Sequence, residues 1–115
     1  MTNSNNSHVN LHVFVEVESE GEAKSCADFL CGLLNSFGKA SALQIAPYWK
    51  IPEYFDVRLE LRCNNLVQED VEQIASHLGD GWLTAGSSFI WNGGDEAKFA
   101  DERVRWANLE LVEIT

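Results

Sequence analysis

The chain has 115 residues, enough for one domain and too few for two with independent cores. Apolar residues make up 45% of it and charged residues 23%, the balance of a folding chain and not of a disordered one. Eighteen acidic side chains against eight Lys plus Arg give a net charge of −10, which excludes a direct nucleic-acid binder and a polybasic binder of anionic membranes. No apolar run approaches the roughly 20 residues of a membrane-spanning helix. Residues 1 to 7 read as a frayed polar tail without the apolar core of a signal peptide, so the cytoplasm is the expected compartment.

Residues 8 to 115 read as one α+β domain. His8 to Glu18 alternates: Val9, Leu11, Val13, Val15 and Val17 point one way, His8, Asn10, His12, Phe14, Glu16 and Glu18 the other. Ser19 with Glu22 is a capping box that opens a helix. Its apolar stripe is Ala23, Cys26, Ala27, Leu30, Leu33, Leu34 and Phe37, with Phe29 off the stripe. Gly38 fits a left-handed stop after it. Residues 41 to 51 are strand-like, and Pro47 marks an edge strand or a bulge. Tyr54 to Cys63 alternates again, with Phe55, Val57, Leu59, Leu61 and Cys63 facing in and Asp56, Arg58, Glu60 and Arg62 facing out.

Asn65 with Gln68 caps a second helix, whose stripe is Val67, Val71, Ile74, Ala75 and Leu78. Asp80-Gly81 leads into a strand over Trp82 to Asn92, with Gly86 as a bulge. Residues 95 to 103 form a charged loop or short turn. Val104 to Ile114 is a last strand of ambiguous phase: Ala107, Leu109 and Leu111 compete with Trp106, Val112 and Ile114 for the inner face. The order β-α-β-β-α-β-β predicts a ferredoxin-like βαββαβ antiparallel sheet with two helices on one face and an extra C-terminal strand.

The chemistry-bearing side chains form no catalytic motif. Cys26, Cys31 and Cys63 are odd in number and lack CxxC spacing, so they read as reduced, buried small hydrophobes. His8 and His12 share a strand face but lie about 13 Å apart, too far for one metal ion with ligand bonds of about 2 Å. Asp95-Glu96 with Asp101-Glu102 lacks EF-hand spacing and reads as a solvated charged loop, not a metal site. No nucleophile elbow or phosphate loop is present. The expectation is a protein with no catalytic residue, no cofactor and no metal.

Two features point elsewhere. Charge is uneven: residues 1 to 40 carry a net −3, residues 41 to 64 balance, and residues 65 to 115 carry −7. Such a field speeds encounter with a basic partner. Aromatic residues also gather at two turns: Tyr48, Trp49 and Tyr54 at one, Trp91, Phe99 and Trp106 at the other. A sheet with one covered face cannot bury all of these along with its aliphatic stripe, although Trp82, Trp91 and Trp106 could each complete the core or cover a sheet end.

A small acidic, cysteine-poor domain with exposed aromatics, closing on the stretch RVRWANLELVEI, resembles the immunity proteins of bacterial toxin systems, including those of contact-dependent growth inhibition. The resemblance implies binding to a cognate protein toxin, often a basic nuclease, and occlusion of its active site. From the residues themselves, Asp95, Glu96, Asp101 and Glu102 are the expected contacts to basic groups, and Trp49, Tyr54, Trp91 and Phe99 the expected aromatic contacts. Two other readings stand beside this one. One is a ferredoxin-like small-molecule-sensing or regulatory domain, with a homodimer through a sheet edge. The other is an enzyme using His8 or His12 with Glu16 on the open sheet face.

Overall fold

The computed structural model describes residues 6–64, 68–86, 88–93 and 98–114. In chain order they form β1 (Asn6–Glu16), α1 (Glu20–Leu34), β2 (Lys39–Pro47), β3 (Tyr54–Asn64), α2 (Gln68–Leu78), β4 (Leu83–Ala85), β5 (Ser88–Trp91) and β6 (Val104–Ile114). The strands make one antiparallel sheet in the order β2-β3-β1-β6-β5-β4.

The alternating sequences dictate how the sheet packs. Val9, Leu11, Val13 and Val15 of β1 lie beside Leu61, Leu59, Val57 and Phe55 of β3 in register, and all are buried. Ala107 and Leu109 of β6 extend this surface on the other side of β1, and Phe89 and Trp91 of β5 continue it. The helices close over this one face with Ala23, Cys26, Ala27, Leu30 and Leu34 from α1 and Val71, Ile74, Ala75 and Leu78 from α2. Ser19 caps α1 as expected, its side chain accepting from the Glu22 amide at 3.2 Å. Among the described residues, no helix is long and apolar enough to cross a membrane.

Four sequence expectations are corrected. The stretch Trp82 to Asn92 is not one strand but two: Gly86, at φ 64°, reverses the chain between β4 and β5. The additional strands therefore precede the last strand, and β6 lies beside β1, so strand count and order differ from a βαββαβ sheet with one strand appended at its C-terminus. Gly38 is not left-handed. It is required by space instead, since a Cβ there would lie 2.4 Å from the Arg62 carbonyl oxygen and 2.6 Å from Cys63 Sγ. The phase of β6 looked ambiguous because it changes. The pairing with β1 shifts by one residue at Arg105, so Val104 and Ala107 both face the core while Trp106 faces away. Residue Val67 and the Asn65 capping signal lie outside the described residues. The edge position and bulge expected from Pro47 are present: β2 is an edge strand and its pairing with β3 shifts between Ala42 and Gln44.

Two glycine substitutions separate these constraints. Gly38→Ala is expected to destabilise the fold by about 1–3 kcal/mol through overpacking against β3. Gly32→Ala, on the exposed side of α1 with nothing near its Cβ, is expected to stabilise by up to about 1 kcal/mol. Urea denaturation of both variants measures the contrast.

Candidate functional site

The helices leave the opposite face of the sheet uncovered, and side-chain alternation assigns its residues. β1 contributes His8, Asn10, His12, Phe14 and Glu16, and β3 contributes Tyr54, Asp56, Arg58, Glu60 and Arg62 in register with them. β6 adds Trp106, Asn108, Glu110 and Val112.

Aromatic rings gather at one end of this face. Phe14 stacks on Tyr48 at 4.3 Å between centroids and packs at a tilt against Trp106 at 5.1 Å. The His12 ring meets the edges of Phe14 and Trp106 at 4.9 and 5.3 Å. Tyr48 leads into Trp49, whose ring is 82% exposed beneath Lys50 at the tip of the β2–β3 turn. The turn is held at its base, where the Tyr48 amide donates to the Tyr54 carbonyl and the Tyr54 amide to the Ile51 carbonyl. Trp49 is thus a large apolar group presented on a fixed turn. Leu43, pushed out by the β2 bulge, is 60% exposed beyond it.

The charges of this face are largely paired within it. Asp56 accepts from His12 Nε2 at 2.8 Å and from Arg58 at 3.4 Å. Glu60 pairs with Arg62 at 2.7 Å and Glu16 with Arg105 at 2.8 Å. Burial pushes His12 below the ordinary imidazole value, against the opposing pull of Asp56. The acidic excess lies elsewhere. Glu18, Glu20, Glu22 and Asp28 stand in or before α1 against Lys24, and α2 carries Glu69, Asp70 and Glu72 with no Lys or Arg. The field and the aromatic patch, expected on one surface, occupy opposite sides of the sheet.

The residues expected near the last hairpin divide differently. Trp91 is a core residue, 4% exposed, with Nε1 donating to the Asp80 carbonyl at 2.7 Å. Phe99 packs between Trp82 and Trp91 at 5.8 and 5.0 Å. Neither is an exposed anchor, because the hairpin folds its rings over the end of α2. Asp101, expected to meet a partner's basic groups, is 7% exposed and committed to Arg103 at 2.6 Å. Glu102 is exposed, and Asp95 and Glu96 lie outside the described residues. Tyr54 is half-buried on the open face. Among the described residues of the expected contact set, Trp49 and Glu102 present their side chains most fully to solvent.

Asp101 is a structural group. Burial pushes its carboxyl up, but hydrogen bonds from the Arg103 side chain and amide and from the Cys26 thiol outweigh this and hold it below the usual carboxylate range. The Cys26 thiol, desolvated and beside that carboxylate, is pushed up to about 12. Cys31 and Cys63 are also raised by burial, and none of the three approaches the thiolate character of a nucleophile. Among the described residues, no group of three or more His, Cys, Asp or Glu side chains is arranged to hold a metal ion.

Sequence reasoning missed Phe14, Tyr48 and Trp106 as parts of one patch. The signal was present: an aromatic at an outward position of β1 breaks an otherwise polar face. No family model, curated protein or solved structure matches the chain.

Replacing Asp101 by Asn is expected to cost about 1.5–3 kcal/mol at neutral pH, the scale of hydrogen bonds to charged groups. A carboxyl held low in the folded state stabilises above its unfolded value of about 4 and loses that stabilisation as pH falls through the folded value. Urea unfolding at neutral pH and in acid should therefore show the gap between wild type and Asp101→Asn narrowing below about pH 4.

Proposed function

We propose that this chain is an inhibitory binding protein of the immunity type, acting on a basic protein toxin by occlusion and not by catalysis. One observation carries the reading: Trp49, almost fully exposed on a braced turn, is continuous with the packed rings of Tyr48, Phe14 and Trp106 on an uncovered sheet face. Large aromatic side chains on rigid supports are what dominate the energetics of protein interfaces. The rings already packed together pay little entropy on binding, and the neighbouring ion pairs supply a polar rim.

The acidic helices have a separate role in this proposal. Their field draws a basic partner from a distance, while the nearly neutral sheet face accepts it without large desolvation of unpaired charge. His12–Asp56 then serves as a structural pair bracing the aromatic patch. For the finer architecture we propose a ferredoxin-like core of β1-α1-β2-β3-α2-β6 with the β4–β5 hairpin inserted before its last strand. The sheet order β2-β3-β1-β6 supports this, with both helices packed on one side. A cytoplasmic site of action belongs to the same proposal.

The test begins with capture by the tagged protein from its native cells, at low and high salt, followed by affinity measurement on the recovered partner. A stoichiometric basic partner is expected. Trp49→Ala should weaken binding roughly 30-fold or more, the loss of about 2 kcal/mol typical of an interface hot spot, with thermal stability unchanged. An unchanged affinity would remove Trp49 and this face from the interface.

A further inference from the structure

The uncovered face contains a cleft of about 250 Å³, centred on β1 and bordered by Asn10, His12, Leu43, Arg58, Asn108 and Glu110. That is ample for the head of a basic side chain, since one water occupies about 30 Å³. Among the described residues, one acceptor in it lacks a donor, and one carboxylate lacks a cation. The Asn10 Oδ1 atom is buried and has no hydrogen-bond partner. Glu110, directly opposite Asn10 on β6, accepts a 3.3 Å bond from Ser88 and takes part in no ion pair among the described residues. It differs in this from Asp56, Glu60 and Glu16, each of which has a cation on the same face.

Within this binding face, we infer that the Asn10–Glu110 cleft receives an arginine side chain of the basic partner. The inference rests on the reading of the uncovered face as the interface. An arginine fits the donor deficit better than a lysine. Its planar fork can give two parallel N–H bonds to the Glu110 carboxylate and keep further N–H groups for the Asn10 carbonyl. Leu43 offers an apolar wall to the side-chain stem. The cations already present do not compete for these acceptors. Arg58 is engaged with Asp56, and His12 Nε2 is bonded to the same carboxylate. A buried acceptor is costly to leave unpaired, so filling it adds specificity as well as affinity.

The probe is N-acetyl-arginine amide, titrated into the isotope-labelled full chain while amide resonances are followed. N-acetyl-citrulline amide, of similar shape without the charge, is the control. The arginine probe should shift the Asn10 side-chain amide and the backbone amides of Asn108 and Glu110 saturably. The citrulline probe should bind roughly tenfold more weakly or less, as expected for loss of a charge-assisted pair. Glu110→Gln, with its fold checked in the same spectrum, should abolish the difference.

Equal responses to the two probes would overturn the inference. So would shifts confined to the acids of α1 and α2, or an Asn10 amide already bonded to Glu110 and indifferent to the probe. The wild-type titration decides these outcomes even if the variant does not fold. A silent cleft beside a Trp49-dependent partner overturns the arginine assignment alone, whereas a responsive cleft with no Trp49-dependent partner overturns the binding-face reading.

Discussion

Two helices can cover one face of a six-stranded sheet and not both, and the rest of this molecule follows from that constraint. β1 runs between β3 and β6 and carries Val9, Leu11, Val13 and Val15 toward α1 and α2. Its alternate residues, His8 to Glu16, must then be accommodated without a helical cover. They are accommodated by one another. Phe14 is shielded by Tyr48 and Trp106, while His12 is held by Asp56 and bordered by Phe14 and Trp106. The outcome is a face with apolar rings at one end and paired charges across much of its breadth.

The same division explains where the acidic character resides. A helix exposes its polar stripe outward when its apolar stripe meets a sheet, so the carboxylates of α1 and α2 lie on the side away from the aromatic patch. Their separation makes a two-part account of binding economical. In the proposed function, long-range attraction belongs to the helices and contact to the turn bearing Trp49. Glu110 is the place where the two characters meet, a carboxylate on the proposed contact face without a cation of its own among the described residues.

Much of the fold was legible because it depends on local periodicity. The alternation of Val9 to Val17 and Phe55 to Leu61, and the Ser19–Glu22 cap, are readable from a few neighbouring residues. The reversal at Gly86 was harder, since one glycine can mark a bulge or a turn and only the pairing partner decides. The bulge at Arg105 hid the phase of β6 because alternation assumes an unbroken pleat. The candidate site was legible only at the turn of Tyr48, Trp49 and Tyr54. Trp91 and Phe99 resembled surface anchors by composition, yet Phe99 packs between Trp82 and Trp91, and Trp91 is tied to the Asp80 carbonyl just past α2. Asp101 resembled another exposed acid, but Cys26, distant in sequence, and Arg103 enclose it.

The central claim is that the uncovered sheet face, and not the acidic helical side, makes contact with a partner. Hydrogen–deuterium exchange of the chain, free and bound to its captured partner, addresses it most directly. The account predicts added protection of the backbone amides at residues 43–51 and 105–108, with α1 and α2 unchanged. Protection confined to α1 and α2, with the Trp49 turn exchanging as in the free protein, would contradict it.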